Sequence, residues 1–329
     1  MASIKDVANR AQVSTASVSR VLAGKTVRDE VRKRVMASVN ALSYRPNRVA
    51  RSLRQAKSTT IGLVVADIQN TYFTQICRAV EDTASRSGYA VFLCNSDEDP
   101  TKEATYLGLL RDENVAGAIV APTAAALRAF SPQSTGSLPM VMIDRHPGKL
   151  PVDSVVLDNT AAAAELTSHL LSHGRRRIAG LFGAHSATGT ERYKGFVAAH
   201  HAAGIEPISE LVKFVPPRET DGVAAAAALL SMPNPPDALI TSNGLLAAGA
   251  FRAITASGIP CPERIAFASF DDTTWAPMVS PAVTVIEQPT YEIGQTATEM
   301  LLARIQNRDR AVRSVTLPYR LLRRASCGC

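Results

Sequence analysis

The chain opens on three short helical patterns. Ile4, Val7, Ala8 and Ala11 recur at intervals of three and four, which places them on one face of a helix. Ser3 precedes them with Asp6 three residues on, a start resembling a capping box. After a brief break at Gln12 and Val13, Ser14 can cap a second helix over 15–22, with Val18, Val21 and Leu22 inward. A third helix is predicted over about 28–42, on Val31, Val35, Val39 and Leu42. Two short helices joined by a tight turn and braced by a third make a helix-turn-helix unit.

Beyond Lys57 the pattern changes. Residues 61–66 form a continuous apolar run, as for a strand covered on both faces. A helix is predicted over 73–87, a strand over 90–93 and a helix over 101–113. Strands follow at 117–120, 140–143 and 155–157. The alternation restarts after Asp158 and Asn159, with helices over 160–173, 190–203, 220–231 and 245–257. Strands fall between and after them, at 178–182, 211–214, 238–241 and 265–270. Such alternation builds parallel, doubly wound α/β sheets, and its restart predicts two lobes with a cleft between them. The expected fold is an all-α helix-turn-helix head joined to a two-lobed α/β core.

Charge separates the same two parts. The chain carries +7 overall, but residues 1–57 hold 13 Lys and Arg against three acids, a net +10, and the remainder is −3. A concentrated positive charge on a mildly acidic body is the footprint of a nucleic-acid reader. The second helix is expected to enter the major groove. There Thr15, Ala16 and Arg20 face outward, and Arg20 can fork onto guanine O6 and N7. Thr15 can donate or accept, Ala16 offers a methyl contact, and the hydroxyls of Ser14 and Ser17 complete the expected DNA-facing set.

Here a family resemblance becomes specific. Ile4, Lys5, Asp6, Val7 and Ala8, then Ala11, Val13 and Ser14, then Val18, Ser19, Arg20, Val21 and Leu22 resemble the head of the LacI/GalR family of bacterial regulators. The likeness continues through Tyr44, Arg45, Pro46 and Asn47, and through Ala50, Arg51, Ser52 and Leu53. In that family the latter segment is a hinge helix. Physically, Pro46 stops the preceding helix and Asn47 can cap a new turn. Residues 47–54 are too few to hold a helix alone, since isolated helices below ~12–15 residues are marginal in water. The resemblance implies that two such segments, one per subunit, pair in the minor groove. Asn47, Ala50, Arg51 and Arg54 would face the DNA there, and Leu53 would act as the apolar wedge that kinks it.

Ligands of doubly wound sheets bind beyond the carboxyl ends of the strands. Asp144 and Arg145, Asn243, Asp271 and Gln288 fall there, with Phe73, Thr188 and Arg192 at helix openings. Carboxylates, amides and a forked guanidinium beside an aromatic face are what sugar recognition needs. The resemblance implies that Phe73, Asp144, Thr188, Arg192, Asn243, Asp271 and Gln288 occupy effector-cleft positions, in a core similar to sugar-binding periplasmic proteins. Two departures stand out. Gly244 follows Asn243 where the family usually has Asp, and Arg175 follows Gly174 where it often has His. The first, with Trp275 four residues after Asp271, resembles members that answer to sugar acids. It suits an anionic effector meeting Arg145 or Arg192, with Trp275 beside the cleft.

No G-x-G-x-x-G, Walker A or G-x-S-x-G pattern is present, so no catalytic residue or cofactor is expected. His169 and His173 lack the glutamate of H-E-x-x-H, and the five cysteines show no C-x-x-C spacing. Capping or surface roles are expected for the histidines, no metal, and a frayed end for Cys327 and Cys329. No leader-like apolar stretch opens the chain, and no apolar run approaches the ~18 residues of a membrane span. A cytoplasmic, nucleoid-associated protein is expected.

The expected layout is a DNA-binding head over 1–46, a hinge over 47–57 and a core over 58–329. Its first lobe takes in about 58–158 and 289–318, and its second about 159–288 and 319–329. The expected function is that of a homodimeric, non-enzymatic, sequence-specific DNA-binding regulator, a repressor of carbohydrate or sugar-acid metabolism genes whose operator affinity is controlled by a small effector in the interlobe cleft. Its partners would be palindromic operator DNA and a small sugar or sugar-acid effector, with no membrane. The alternative is a sugar-binding receptor or sugar-modifying enzyme with an appended nucleic-acid-binding head.

Overall fold

The computed structural model describes residues 2–22, 24–44, 58–129 and 138–329. The chain divides into two compact units at Ser58. The hinge residues expected at Asn47, Ala50, Arg51, Leu53 and Arg54 lie outside the described residues.

The first unit holds α1 (Ile4–Ala11), α2 (Thr15–Leu22) and α3 (Asp29–Ala41). Ser3 and Asp6 close a capping box, the Ser3 N–H donating to Asp6 Oδ2 at 2.7 Å. Ser14 Oγ accepts from the Ser17 N–H at 3.2 Å and so opens α2. Val7, Ala8, Ala11, Val18, Val21 and Val35 fill the small core between the three helices.

The second unit begins with β1 (Thr60–Val65), α4 (Thr71–Arg86), β2 (Ala90–Asn95), α5 (Pro100–Asp112) and β3 (Ala118–Val120). It continues through α6 (Ala124–Ala129), β4 (Met140–Ile143), β5 (Asp153–Leu157), α7 (Asn159–Ser172) and β6 (Ile178–Gly183). Next come α8 (Ala187–Ala202), β7 (Val212–Val215), α9 (Glu219–Leu230), β8 (Ala238–Thr241) and α10 (Gly244–Ser257). The last elements are β9 (Ala266–Phe270), β10 (Thr284–Glu287), α11 (Thr290–Gln306), β11 (Ser314–Leu317) and β12 (Arg320–Leu322).

Two six-stranded sheets result, ordered β11-β5-β4-β3-β1-β2 and β12-β10-β9-β8-β6-β7. The first is parallel throughout, and in the second only β12 runs antiparallel, on β10 at one edge. Strands β1, β3, β4, β5, β6, β8 and β9 are buried along nearly their whole length, because helices cover both faces. Strand β2 differs. It is an edge, and Phe92 and Leu93 are 43 % and 47 % exposed. The chain passes between the sheets three times: after β5, after β10, and between β11 and β12. Asp153 opens β5 and is buried. Its carboxylate accepts from Arg304 Nε and Nη2 at 3.0 and 2.9 Å and from the Arg313 N–H at 2.7 Å.

The end of the chain is not frayed. The Ser326 hydroxyl donates to the Phe267 carbonyl at 2.6 Å and accepts from the Thr284 N–H at 2.8 Å. These bonds satisfy backbone groups of β9 and β10 and seat Cys327 in the core of the second lobe. His169 is likewise buried, not at the surface as the sequence suggested.

Helices α9 and α10 meet through glycines. A Cβ on Gly249 would stand 2.1 Å from the Glu219 carbonyl oxygen and 2.7 Å from the Val223 nitrogen. Backbone cannot give way there as a side-chain tip can. Gly249→Ala is expected to lower unfolding free energy by at least the ~1–3 kcal/mol of ordinary overpacking. Gly108, in the middle of α5, has nothing within 4 Å of its position for a Cβ. Gly108→Ala is expected to raise stability by about 1 kcal/mol through helix propensity. Denaturant titration of the two variants separates the effects by sign.

Candidate functional site

The α2 helix presents its first turn to solvent. Thr15, Ala16 and Arg20 are exposed, while Val18 and Val21 hold the opposite face in the core. Ser14 and Ser17 are hydrogen-bonded to each other, Oγ to Oγ at 3.0 Å, so their hydroxyls are partly occupied in opening the helix. Arg20 and Ala16 lie four residues apart and share a face.

The second unit contains a cleft of about 1350 Å³ between its two sheets. Of the residues expected there, Phe73, Asp144, Arg145, Thr188, Arg192, Asn243, Asp271 and Gln288 all line it. Asp144 follows β4 and Asp271 follows β9, which hold the same place in their sheet orders. Both take left-handed backbone angles, φ 69° and 74°. Asp adopts that region more readily than most non-glycine residues, and here the turn directs each carboxylate off a strand end into the cleft. Each lobe thus aims one carboxylate into the cleft from an equivalent turn.

Asp271 is held on both oxygens. Oδ2 accepts from the Gly244 N–H at 2.9 Å, and Oδ1 accepts from Gln288 Nε2 at 2.6 Å. The glycine in place of the family's Asp has a structural reason here. A Cβ on Gly244 would lie 2.7 Å from Thr273 Cγ2 and 3.5 Å from Asp271 Oδ2. Asn243 caps α10, its Oδ1 accepting from the Leu246 N–H at 2.8 Å, which leaves its Nδ2 for a ligand.

Helix α8 opens three residues earlier than the sequence pattern predicts, because Ser186 Oγ accepts from the Gly189 N–H at 3.1 Å. Thr188 and Arg192 therefore stand one turn apart on one helical face. Arg192 Nε donates to Asn159 Oδ1 at 2.8 Å, Nη1 donates to the Ser242 carbonyl, and the guanidinium lies 4.0 Å from the Phe270 ring centre. Nη2 is the nitrogen left to reach a ligand.

Two expectations need correction. Trp275 does not line the cleft. Its ring packs 5.6 Å from Phe251 in the apolar cluster on one face of the second sheet, because the turn after Asp271 carries it back under α10. Arg145 reaches the cleft wall but is not free to meet an anion. It donates to Glu98 and to the Pro122 carbonyl, and its Nε lies 3.4 Å from Asp144. Sequence reading missed Glu98, Asn159 and Ser242, which orient these arginines. Ser242 directly follows β8 and shares the strand-end signal; Glu98 and Asn159 gave none.

Burial pushes the Asp144 carboxyl up to about 6, against the pull of Arg145 and Arg192. Burial also raises the Tyr72 phenol beside it, which therefore remains a donor toward Asp144. A ligand that uses ionised Asp144 as an acceptor must displace a proton below about pH 6. Its affinity is expected to be flat above that pH and to fall by up to ~tenfold per unit below it. Asp144→Asn should abolish the slope. Calorimetric titrations from pH 5 to 8 check this, and a slope that survives in the variant assigns it to another group.

Residues 3–47 match the family described as bacterial regulatory proteins, lacI family. Residues 58–325 match the periplasmic binding proteins and sugar binding domain of LacI family. The chain belongs to the LacI family. It is a DNA-binding transcription regulator with a sugar-binding core. It is 33 % identical over 324 residues to the ribose operon repressor of Halalkalibacterium halodurans, spanning 98 % of this chain and 96 % of that one. It is 35 % identical over 331 residues to the HTH-type transcriptional regulator PtxS of Pseudomonas aeruginosa, spanning 98 % and 95 %. Among solved structures, it resembles the Lac repressor dimer bound to operator and the anti-inducer ONPF, with TM-score 0.89, 26 % identity and 99 % of both chains covered. No described helix is long and apolar enough to cross a membrane.

Proposed function

We propose that this LacI-family chain is a homodimeric repressor whose affinity for a two-fold symmetric operator is set by a sugar or sugar acid in the cleft. The carrying observation is the pair of left-handed carboxylates, Asp144 and Asp271, opposed across the cleft with Arg192 between them in chemistry. Carboxylates accept from vicinal hydroxyls, and Arg192 Nη2 offers a donor to a ring oxygen or an effector carboxylate. A cleft of about 1350 Å³ exceeds the ~300–1,000 Å³ of most small-molecule sites, so it has room for a sugar and for the lobes to close further around it. Closure then couples effector to operator, with ~1–3 kcal/mol changing affinity ~5–150-fold.

Residues 1–46 would read one half-site, 47–57 would join head to core, and Ser14, Thr15, Ala16, Ser17 and Arg20 would face the groove. Asn47, Ala50, Arg51, Leu53 and Arg54 would engage DNA from the hinge. Dimerisation is supported by exposed apolar side chains of the first lobe, Phe92 and Leu93 on edge strand β2 and Leu109 on α5. The Lac repressor likeness is to a dimer on its operator. Selection of bound duplexes from a random pool, repeated with a panel of sugars and sugar acids, tests the reading. A two-fold symmetric site whose recovery changes with one effector is expected, and enrichment of no symmetric site overturns it.

A further inference from the structure

The end of α7 and the last residues of the chain hold a cluster that the cleft does not use. His169 lies in the last turn of α7 and His173, four residues on, is its C-cap, their ring centres 4.7 Å apart. Cys327 Sγ is 3.3 Å from His169 Nε2. Cys329 Sγ is 3.3 Å from the same nitrogen and 3.5 Å from His173 Nε2. The two sulfurs are 2.7 Å apart, and His169 Nε2 and both sulfurs fall within 4.8 Å of one another.

We propose that His169, His173, Cys327 and Cys329 form a two-cysteine, two-histidine site for a zinc-class cation that ties the C-terminal segment to α7. The donors are those of closed zinc sites, in which Zn–N is about 2.0–2.1 Å and Zn–S about 2.3 Å. A tetrahedron with those bonds separates its ligand atoms by roughly 3.3–3.8 Å. Of the six separations among four donors, three already lie at 3.3–3.5 Å. His169, Cys327 and Cys329 are already mutually close. To close the tetrahedron the sulfur pair must open by roughly 1 Å and the exposed His173 ring must swing in toward Cys327 and His169; Cys329 is exposed and so has space to move.

The helix end suits a cation, and the Arg323 guanidinium, which also bears on His169 and Cys329, favours the thiolate form of Cys329. The pair of histidines sits at the carboxyl end of a 14-residue helix, where the helix dipole is negative. Thr284 Oγ1 lies 3.0 Å from Cys327 Sγ and can donate to it once it is a thiolate. Coordination sends both thiol protons to solvent. Four protein donors leave no open position, so the ion would be a clasp and not a catalyst. The clasp joins residues far apart in sequence but adjacent in the second lobe, beneath β9 and β10.

The test uses the reduced, metal-stripped full chain titrated with Co(II) and then Zn(II). One cobalt per chain is expected, with sulfur-to-cobalt charge transfer and the visible bands of a tetrahedral site. Zinc should displace the bands and raise the melting temperature. His173 and Cys329 are exposed, so His173→Ala and Cys329→Ser should fold, as circular dichroism will verify. Each is expected to weaken zinc binding by more than the ~10–100-fold seen for loss of a supporting residue. Absence of the charge-transfer band overturns the proposal. So does a band unchanged in both variants, or a Cys327–Cys329 disulfide formed in air with no metal bound after reduction.

Discussion

Replacing Arg20 by alanine is expected to reduce operator affinity by roughly 30- to 20,000-fold. A bidentate arginine–guanine contact carries ~1–3 kcal/mol of discrimination, and a dimer makes the contact twice. Arg20 is exposed on α2 and outside the head's apolar core, so the loss should come without unfolding. The pattern of the loss matters as much as its size. Loss of a base contact relaxes preference at one position in each half-site. Loss of a phosphate contact weakens all sequences alike and lowers the salt slope. Binding to single-base variants of the selected site, at two salt concentrations, decides between them. Uniform weakening would remove Arg20 from base reading.

The second large effect is expected in the cleft. Asp271→Ala should weaken effector binding by roughly 10- to 150-fold, the equivalent of ~1.5–3 kcal/mol for a hydrogen bond to a charged group. It also leaves the Gly244 N–H and the Gln288 amide without their acceptor. Asp271→Asn should do nearly as badly. Both carboxylate oxygens accept from donors, so whichever way the amide turns its nitrogen meets one of them. Gln288→Ala should cost less, because it removes one orienting bond and no charge. Calorimetry with the selected effector measures all three. Operator binding in the absence of effector should stay near that of the parent. If it collapses too, the variant has lost its fold and the effector result carries no weight.

The parts of the molecule written in local pattern were legible in the sequence. The apolar runs at β1, β4, β6 and β8, and the three-and-four spacing in α1 to α3, follow from burial on one or two faces. Strand-end logic also placed Asp144, Asn243, Asp271 and Gln288, since doubly wound sheets gather such ends in one place. What escaped was pairing at a distance. Arg145 is spoken for by Glu98, 47 residues upstream, and Arg192 by Asn159 and the Ser242 carbonyl. Nothing in a linear pattern marks those partners. Trp275 was misplaced for a related reason, since three residues of irregular turn separate it from Asp271 and no period says which way it points. The tail was misjudged because Ser326 anchors it through backbone groups of β9 and β10.

The passage of the chain back into the first sheet has a consequence for synthesis. Strand β5 waits for its outer neighbour β11 until more than 150 further residues have been made. Until then the Asp153 carboxylate has neither Arg304 nor the Arg313 N–H, and a buried carboxylate without partners is strongly disfavoured. The leading lobe therefore completes its sheet only after the chain that builds most of the trailing lobe has been made, unlike a domain formed from one continuous stretch.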